Sequence, residues 1–115
     1  MIQVTTSPEE TTVWLTGDLD LSEREQFSPA AARVAAARAA VLVIDMCAME
    51  FMDSTGAAFV ITLADAHRRR GGELTRLRGA SERDLFVLEV CGALDLFGVD
   101  PLHRCRDNGD REQSA

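Results

Sequence analysis

Two hydroxyl groups follow a carboxyl group in the segment Asp53-Ser54-Thr55, which stands between an apolar pair of residues and Gly56. A serine or threonine hydroxyl can accept a phosphoryl group, which adds about −1.5 to −2 charges at neutral pH. The same residue types are also common at the first position of a helix, where Ser54 would be a good N-cap and Gly56 would allow close approach of the backbone. The segment therefore indicates a helix start, a modification site, or both.

Catalysis by these residues lacks the partners that it needs. A nucleophilic serine requires an adjacent base, and neither His67 nor His103 belongs to a nucleophile motif such as G-x-S-x-G. Asp45 is the nearest candidate for a second carboxylate beside Asp53, and Gly71-Gly72 lacks the lysine and the spacing of a phosphate-binding loop. We expect a protein that is not an enzyme and that has no cofactor.

The three cysteines, Cys47, Cys91 and Cys105, are widely spaced and form no C-x-x-C pair. This pattern favours reduced thiols in the cytoplasm over disulfides, with Cys47 and Cys91 acting as small buried hydrophobic residues. A zinc site needs about four ligands at short paired spacings, and the two histidines are far apart in the sequence. The sequence therefore predicts no metal site.

The composition describes one acidic globular domain. The chain has 115 residues, 46% of them apolar, and a net charge of −7, with arginine as its only strongly basic residue. The negative charge disfavours binding to a nucleic-acid backbone, and no apolar run is long enough to cross a bilayer. The N-terminus has no basic region before an apolar stretch, so we expect no signal peptide. We expect residues 1–105 to form a single domain and the polar residues 106–115 to be a disordered tail.

The elements around the hydroxyl segment follow from its neighbours. Residues 2–5 and 12–16 are typical of an antiparallel hairpin, and residues 41–46 form a continuous apolar run. That run predicts a central strand that is buried on both faces under helices. We expect a connecting loop over residues 47–52 and a helix from Ser54 to about Arg70, ended by Gly71-Gly72.

The remaining elements complete an alternating pattern. A first helix is predicted over about 23–38, starting either at a capping box of Ser22 and Glu25 or at Ser28-Pro29. Residues 73–77 predict a strand, Ser81 caps a third helix that ends at Gly92, and 93–97 is a possible edge strand. The order β-β-α-β-α-β-α predicts an α/β fold with a mixed sheet of four to five strands, flanked by helices, and the first strand antiparallel.

The second helix carries apolar residues on more than one side. At 100° per residue, Ala57, Val60 and Ala64 share one face, and Phe59 lies nearly opposite them, beside Thr55. Such a helix is either buried on two sides or faces a partner protein. The sequence leaves both interpretations open.

Several of these features recur together in one known family. These features are Gly17-Asp18-Leu19-Asp20, the strand at 41–46, Phe51-Met52-Asp53-Ser54-Thr55-Gly56, Gly71-Gly72-Glu73-Leu74, and Leu85, Leu88, Gly92, Leu94 and Phe97. With them the chain resembles the STAS domain, specifically the bacterial anti-sigma factor antagonists, over about residues 2–100. Positions 57 and 58 are often Leu-Gly in that family and are Ala57-Ala58 here.

The resemblance implies a function in transcription regulation. Family members are small cytoplasmic proteins that, when unphosphorylated, bind an anti-sigma factor that is also a serine kinase and so release a sigma factor. The kinase phosphorylates the serine after the motif's aspartate, and a PP2C-type phosphatase reverses the step. Ser54 would then be the phosphoacceptor, and Asp53, Thr55 and Gly56 would flank it at the docking surface.

Two further expectations accompany the resemblance. The position of Phe59 on the second helix makes it a candidate partner-binding residue. Direct binding to nucleic acid or to a membrane is not expected. The alternative function is a STAS module that does not switch, and that scaffolds an assembly or binds a small ligand.

Overall fold

The N-terminal hairpin forms as predicted, with a longer second strand. The computed structural model describes residues 1–100, 103 and 105. Strand β1 (Ile2–Thr6) pairs antiparallel with β2 (Glu10–Leu19), and Val4 lies opposite Val13. The turn is closed by a hydrogen bond of 2.7 Å from the Ser7 amide to the Glu10 carbonyl. These residues build the antiparallel edge of the sheet.

Five strands of the described residues form one sheet, in which they lie side by side in chain order. Strands β3 (Val41–Met52), β4 (Thr75–Arg78) and β5 (Phe97–Val99) follow β2, and each runs parallel to its predecessor. The mixed sheet predicted from the sequence is therefore confirmed. Phe97–Val99 supplies the edge strand that was expected slightly earlier, at residues 93–97.

Within residues 1–100, three α-helices and two 3₁₀ turns connect the strands. They are α1 (Arg24–Ala37), α2 (Ser54–Arg69) and α3 (Glu82–Val90), with short 3₁₀ turns at Leu21–Glu23 and Leu94–Leu96. Helix α1 forms over nearly the predicted range of 23–38, but neither predicted cap is used, because Asp20 caps the preceding 3₁₀ turn and Pro29 lies inside the helix. Ser81 and Asp84 form the capping box of α3, as the sequence indicated for Ser81.

All three helices pack on one face of the sheet. Parallel crossovers are almost always right-handed, and each one here steps to the neighbouring strand in the same direction, which places the crossover helices on the same side of the sheet. One apolar cluster joins these helices to alternate residues of the strands. Its buried members include Ala30 and Val34 of α1, Ala57, Val60, Leu63 and Ala64 of α2, Leu88 of α3, and Val13, Leu15, Leu42, Ile44, Met46 and Leu77 of the strands.

On the other face of the sheet the described residues form no helix, which corrects the expectation that helices would cover both sides of β3. Val43 and Asp45 alternate with the core residues of β3, so they point to this second face, yet both are buried. Arg78 lies over the Trp14 ring, with its guanidinium carbon 5.6 Å from the ring centroid, and its Nε is 3.7 Å from an Asp45 oxygen. Long side chains therefore cover the centre of this open face.

Residues 47–52 are strand, and the loop predicted there is wrong. Strand β2 continues through Gly17, Asp18 and Leu19, and these residues offer backbone partners to the second half of β3. The pairing is irregular, with register shifts after Trp14 and after Gly17. Bulges of this kind break the alternation of side chains, which explains why the sequence pattern did not reveal the strand.

Two further predictions concern the C-terminal tail and membrane-spanning helices. The predicted polar tail at 106–115 lies outside the described residues. Within the described part of the chain, none of the helices has the length and apolar character required to cross a bilayer.

Candidate functional site

The first turn of α2 is held by Asp53, and the expectation that Ser54 caps this helix is wrong. An Asp53 carboxylate oxygen accepts a hydrogen bond of 2.9 Å from the Gly56 amide, and the Asp53 carbonyl accepts one from the Ala57 amide. Asp53 has extended backbone, as N-cap residues do. Ser54 is thus the first helical residue, and its hydroxyl is not needed as the cap.

Gly56 allows the start of α2 to lie directly against the end of β2. A Cβ atom at this position would be 2.1 Å from the Leu19 carbonyl oxygen, a distance that no side chain tolerates. The Asp53 amide also donates a hydrogen bond of 3.3 Å to that same oxygen. Because the Leu19 oxygen belongs to the backbone, these contacts fix the position of the start of α2 relative to the sheet.

Ser54 is exposed on this fixed backbone. One and two turns further along α2, Ala58 and Thr62 are also exposed, so the three residues form a strip of small side chains that faces solvent. Thr55 and Asp53 are half-buried beside it. The motif therefore presents its serine hydroxyl, rather than its threonine or its aspartate, as the most accessible polar group.

Apolar and charged side chains lie near the carboxyl ends of β2 and β3, and Ser54 directly follows β3 and Asp53. Phe51 at the end of β3 is 37% exposed, and the guanidinium carbon of Arg83 lies 5.3 Å from its ring centroid. Leu21, which follows the end of β2, is 58% exposed. The sequence did not single out Leu21 or Arg83, because nothing local marks an exposed leucine in a 3₁₀ turn or an arginine stacked across two elements.

Phe59 belongs to the core, which corrects its assignment to a partner surface. The side chain is 6% exposed, and its ring stacks on that of Phe27 of α1 with centroids 4.4 Å apart and planes at 12°. Helix α2 lies between α1 and α3, so it is buried on two sides. The double apolar pattern therefore reflects packing against neighbouring helices.

Asp45 and Asp53 do not form a pair of carboxylates. Asp45 lies in the interior of β3 on the open face, where one of its oxygens accepts a hydrogen bond of 3.0 Å from the Cys47 amide and the other faces Arg78. Asp53 begins α2 at the far end of the same strand. The arrangement that a metal or phosphoryl-transfer site would require is not built from these two residues.

The cysteines differ from expectation. Cys47 and Cys105 form a disulfide with their Cα atoms 5.3 Å apart, and Cys91 is a free thiol that is exposed rather than buried. His103 lies beside the disulfide, with its Nε2 atom 3.4 Å from the Cys47 sulfur. Sequence reasoning missed this cluster because Cys47 is 58 residues from Cys105, although His103 and Cys105 are themselves closely spaced.

Comparison with protein families gives one match. A family model described as "Mlab, STAS domain" matches residues 2–102. Among curated proteins, no sequence matches this chain.

Solved structures of low sequence identity share the fold. The anti-sigma factor antagonist SpoIIAA in its unphosphorylated form is 19% identical, with a TM-score of 0.71 over 100% of this chain and 98% of the other. An anti-sigma factor antagonist from Mycobacterium paratuberculosis is 21% identical, with a TM-score of 0.69 and coverage of 99% and 92%. The Bacillus cell fate determinant SpoIIAA in its phosphorylated form is 17% identical, with a TM-score of 0.68 and full coverage of both chains.

Proposed function

The chain belongs to the STAS domain family, and we propose that it acts as an anti-sigma factor antagonist controlled by phosphorylation of Ser54. In its unphosphorylated form it binds an anti-sigma factor that is also a serine kinase, and this binding releases a sigma factor. Phosphorylation at Ser54 ends the interaction, and a PP2C-type phosphatase restores it. Residues 1–105 act as one cytoplasmic binding domain that has no catalytic activity of its own.

The observation that carries the proposal is the exposure of Ser54 on a backbone that is fixed by other groups. Asp53 supplies the cap and Gly56 supplies the close packing, so the Ser54 hydroxyl is available to a kinase. A phosphorylated serine at this position leaves both of those contacts in place. The fold of the domain therefore need not change when the charge does.

The helix start can accommodate a phosphate. Asp53 accepts from the third helical amide, that of Gly56, which leaves the amides of Ser54 and Thr55 without an acceptor inside the helix. These amides and the positive end of the helix dipole favour an anion next to them. The nearby carboxylate of Asp53 opposes the added charge, and exposure to water reduces that repulsion.

The effect on a partner is larger than the effect on the domain. Ser54, Ala58 and Thr62 form an exposed strip of small side chains, and the exposed apolar side chains of Phe51 and Leu21 lie near the carboxyl ends of β3 and β2, which precede α2 in the sequence. A partner packed on this surface would have to desolvate a doubly charged phosphate, which costs binding free energy. A coupling of about 1–3 kcal/mol changes the affinity roughly 5–150-fold.

Charge also favours a basic partner surface. The protein carries a net charge of −7, and Asp18, Asp20 and Glu50 lie near the end of β2 and β3 beside the Ser54 edge. Complementary charge increases the rate of association with a basic partner. Among relatives, SpoIIAA has been solved in both its unphosphorylated and its phosphorylated form, and both resemble this fold.

The first test is phosphorylation. The full chain is incubated with ATP and each anti-sigma serine kinase from its own organism, and incorporated phosphate is located by mass spectrometry. We expect one phosphate on Ser54, its loss in Ser54→Ala, and its retention in the matched variant Thr55→Val. Phosphate that persists in Ser54→Ala would reject Ser54 as the acceptor.

The second test is binding. Titration of the phosphorylating kinase with wild type and with Ser54→Asp should show an affinity that is about 5–150-fold lower for the variant. Ala58→Ser, which adds a neutral hydroxyl one turn away, is the control for a steric effect. Equal affinities for wild type and Ser54→Asp would instead favour a STAS module that does not switch.

A further inference from the structure

Three groups that bind soft metal ions meet beside the turn that follows β4, outside the Asp53-Ser54-Thr55 segment. Cys47 lies on β3, and His103 and Cys105 lie in the segment that follows β5. Their sulfur and nitrogen atoms all lie within 4.8 Å of one another, and Cys47 and His103 are partly buried. In the structure the two sulfurs form a disulfide.

We propose that, when this disulfide is reduced, Cys47, His103 and Cys105 bind one Zn²⁺ ion, with a fourth position open to water. Zinc prefers thiolate and imidazole ligands in tetrahedral geometry, with Zn–S about 2.3 Å and Zn–N about 2.0 Å. These lengths place a sulfur and a nitrogen ligand of the same ion about 3.5 Å apart. The Cys47 sulfur and His103 Nε2 are already 3.4 Å apart.

The surrounding backbone leaves space for the two sulfurs. A Cβ atom on Gly79 would be 2.4 Å from the Cys105 sulfur and 2.5 Å from the Cys47 sulfur, so no other residue type fits there. Gly79 also has a φ of +73°, which favours glycine independently. The turn after β4 is thus shaped around the sulfur pair.

Two carboxylates hold the ligand-bearing backbone. Asp45 accepts a hydrogen bond of 3.0 Å from the Cys47 amide, and Asp100 accepts one of 3.2 Å from the His103 amide. Hydrogen bonds of this kind fix the position of ligand residues before the metal arrives. The ligands therefore come from two distant parts of the chain that are each tied in place.

Conversion of the disulfide to the zinc-binding form requires a reductant, and a dithiol can serve as one. The dithiol transfers two electrons and two protons to the Cys47–Cys105 bond, which breaks to give two thiols, and the dithiol itself becomes a disulfide. Binding of Zn²⁺ then releases the two thiol protons to solvent. An oxidising disulfide reverses the first step and expels the ion, so disulfide and zinc exclude each other.

The test uses the full chain after reduction by a dithiol and removal of the reductant. Zn²⁺ is titrated against a chromogenic chelator, and Co²⁺ serves as the spectroscopic substitute. We expect one equivalent of metal, a thiolate-to-cobalt charge-transfer band, and the visible bands of a tetrahedral site. Oxidation of the same sample should abolish these bands.

Variants assign the ligands. Cys47→Ser and Cys105→Ser should lose the charge-transfer band, and His103→Ala should bind more weakly, whereas Cys91→Ser, which changes the free exposed thiol, should match wild type. Circular dichroism checks that each variant is folded, and the oxidation experiment on wild type needs no variant. The proposal fails if the reduced chain binds less than one equivalent, if the oxidised chain binds equally, or if Cys91→Ser loses binding.

Discussion

Each end of helix α2 has a closely packed glycine, and the two glycines differ in what they pack against. At the first turn, Gly56 lies against the Leu19 carbonyl oxygen, and the neighbouring Ser54 side chain is exposed. At the last turn, a Cβ on Gly72 would be 2.3 Å from the ring of His67, which is 4% exposed. The first turn therefore has a fixed backbone and an exposed Ser54 side chain, whereas the last turn buries the His67 side chain.

The first turn of α2 is therefore suited to modification, whereas the last turn contributes to the stability of the fold. The Gly72 amide donates to the His67 carbonyl and the Gly71 amide donates to the Arg68 carbonyl, so the helix ends at the predicted Gly71-Gly72 and does so in a Schellman motif. The His67 imidazole lies 3.1 Å from the Ala40 carbonyl oxygen. A change in charge at the first turn should affect a partner, whereas a change at the last turn should affect folding.

The middle of the helix provides the largest expected effect. Phe59→Ala removes a buried ring stacked on Phe27, so we expect the free energy of unfolding to fall by about 3–5 kcal/mol. Chemical denaturation with a linear fit measures this change. Thr62→Ala, on the exposed side of the same helix, should change it by less than about 0.5 kcal/mol. Similar changes in unfolding free energy for the two variants would contradict the burial of Phe59.

The first turn provides the next effect. Gly56→Ala places a methyl group on a backbone oxygen that cannot move away alone, and we expect a loss of about 1–3 kcal/mol in unfolding free energy. Gly98→Ala is the control, since a Cβ there meets nothing within 4 Å. If both variants have the stability of wild type, the close approach of α2 to Leu19 is incorrect.

The last turn provides the smallest effect, and it depends on pH. Burial lowers the pKa of His67 below its usual value of about 6.5, and Arg70 lowers it further, against the opposing influence of the Ala40 hydrogen bond and Glu73. The unfolded chain therefore binds a proton first as the pH falls. The contribution of His67 to stability is complete above about pH 6.5 and decreases below it, by at most about 1.4 kcal/mol per pH unit.

Comparison with His67→Gln isolates this contribution. Denaturation midpoints measured from pH 8 to pH 5 should fall more steeply in wild type than in the variant. Ser54→Ala, at the opposite end of the helix, should follow the wild-type slope. Parallel curves for wild type and His67→Gln would show that the imidazole does not titrate differently in the folded state.

Local signals predicted most of the fold. The apolar run at 41–46, the Gly71-Gly72 ending and the Ser81 cap each depend on residues within one element, and each formed where expected. The second half of β3 could not be predicted in this way. It becomes strand because the distant residues Gly17 to Leu19 continue β2 beside it, and bulges hide the alternation.

The candidate site was predicted in its position and not in its details. The segment at Asp53-Ser54-Thr55 does start a helix at the carboxyl end of a central strand. Which residue caps it depends on the backbone conformation of Asp53, and the burial of Phe59 depends on where α1 lies. The cluster of Cys47, His103 and Cys105 depends on the path of the chain after β5, which no local spacing specifies.

The chain-order arrangement of the five strands has a kinetic consequence. Every strand pairs with the strand before it in the sequence, so no pairing has to wait for a remote part of the chain. Folding rates rise as the mean sequence separation of contacts falls. The domain can therefore extend its sheet one crossover at a time from the N-terminal hairpin, in the direction of synthesis.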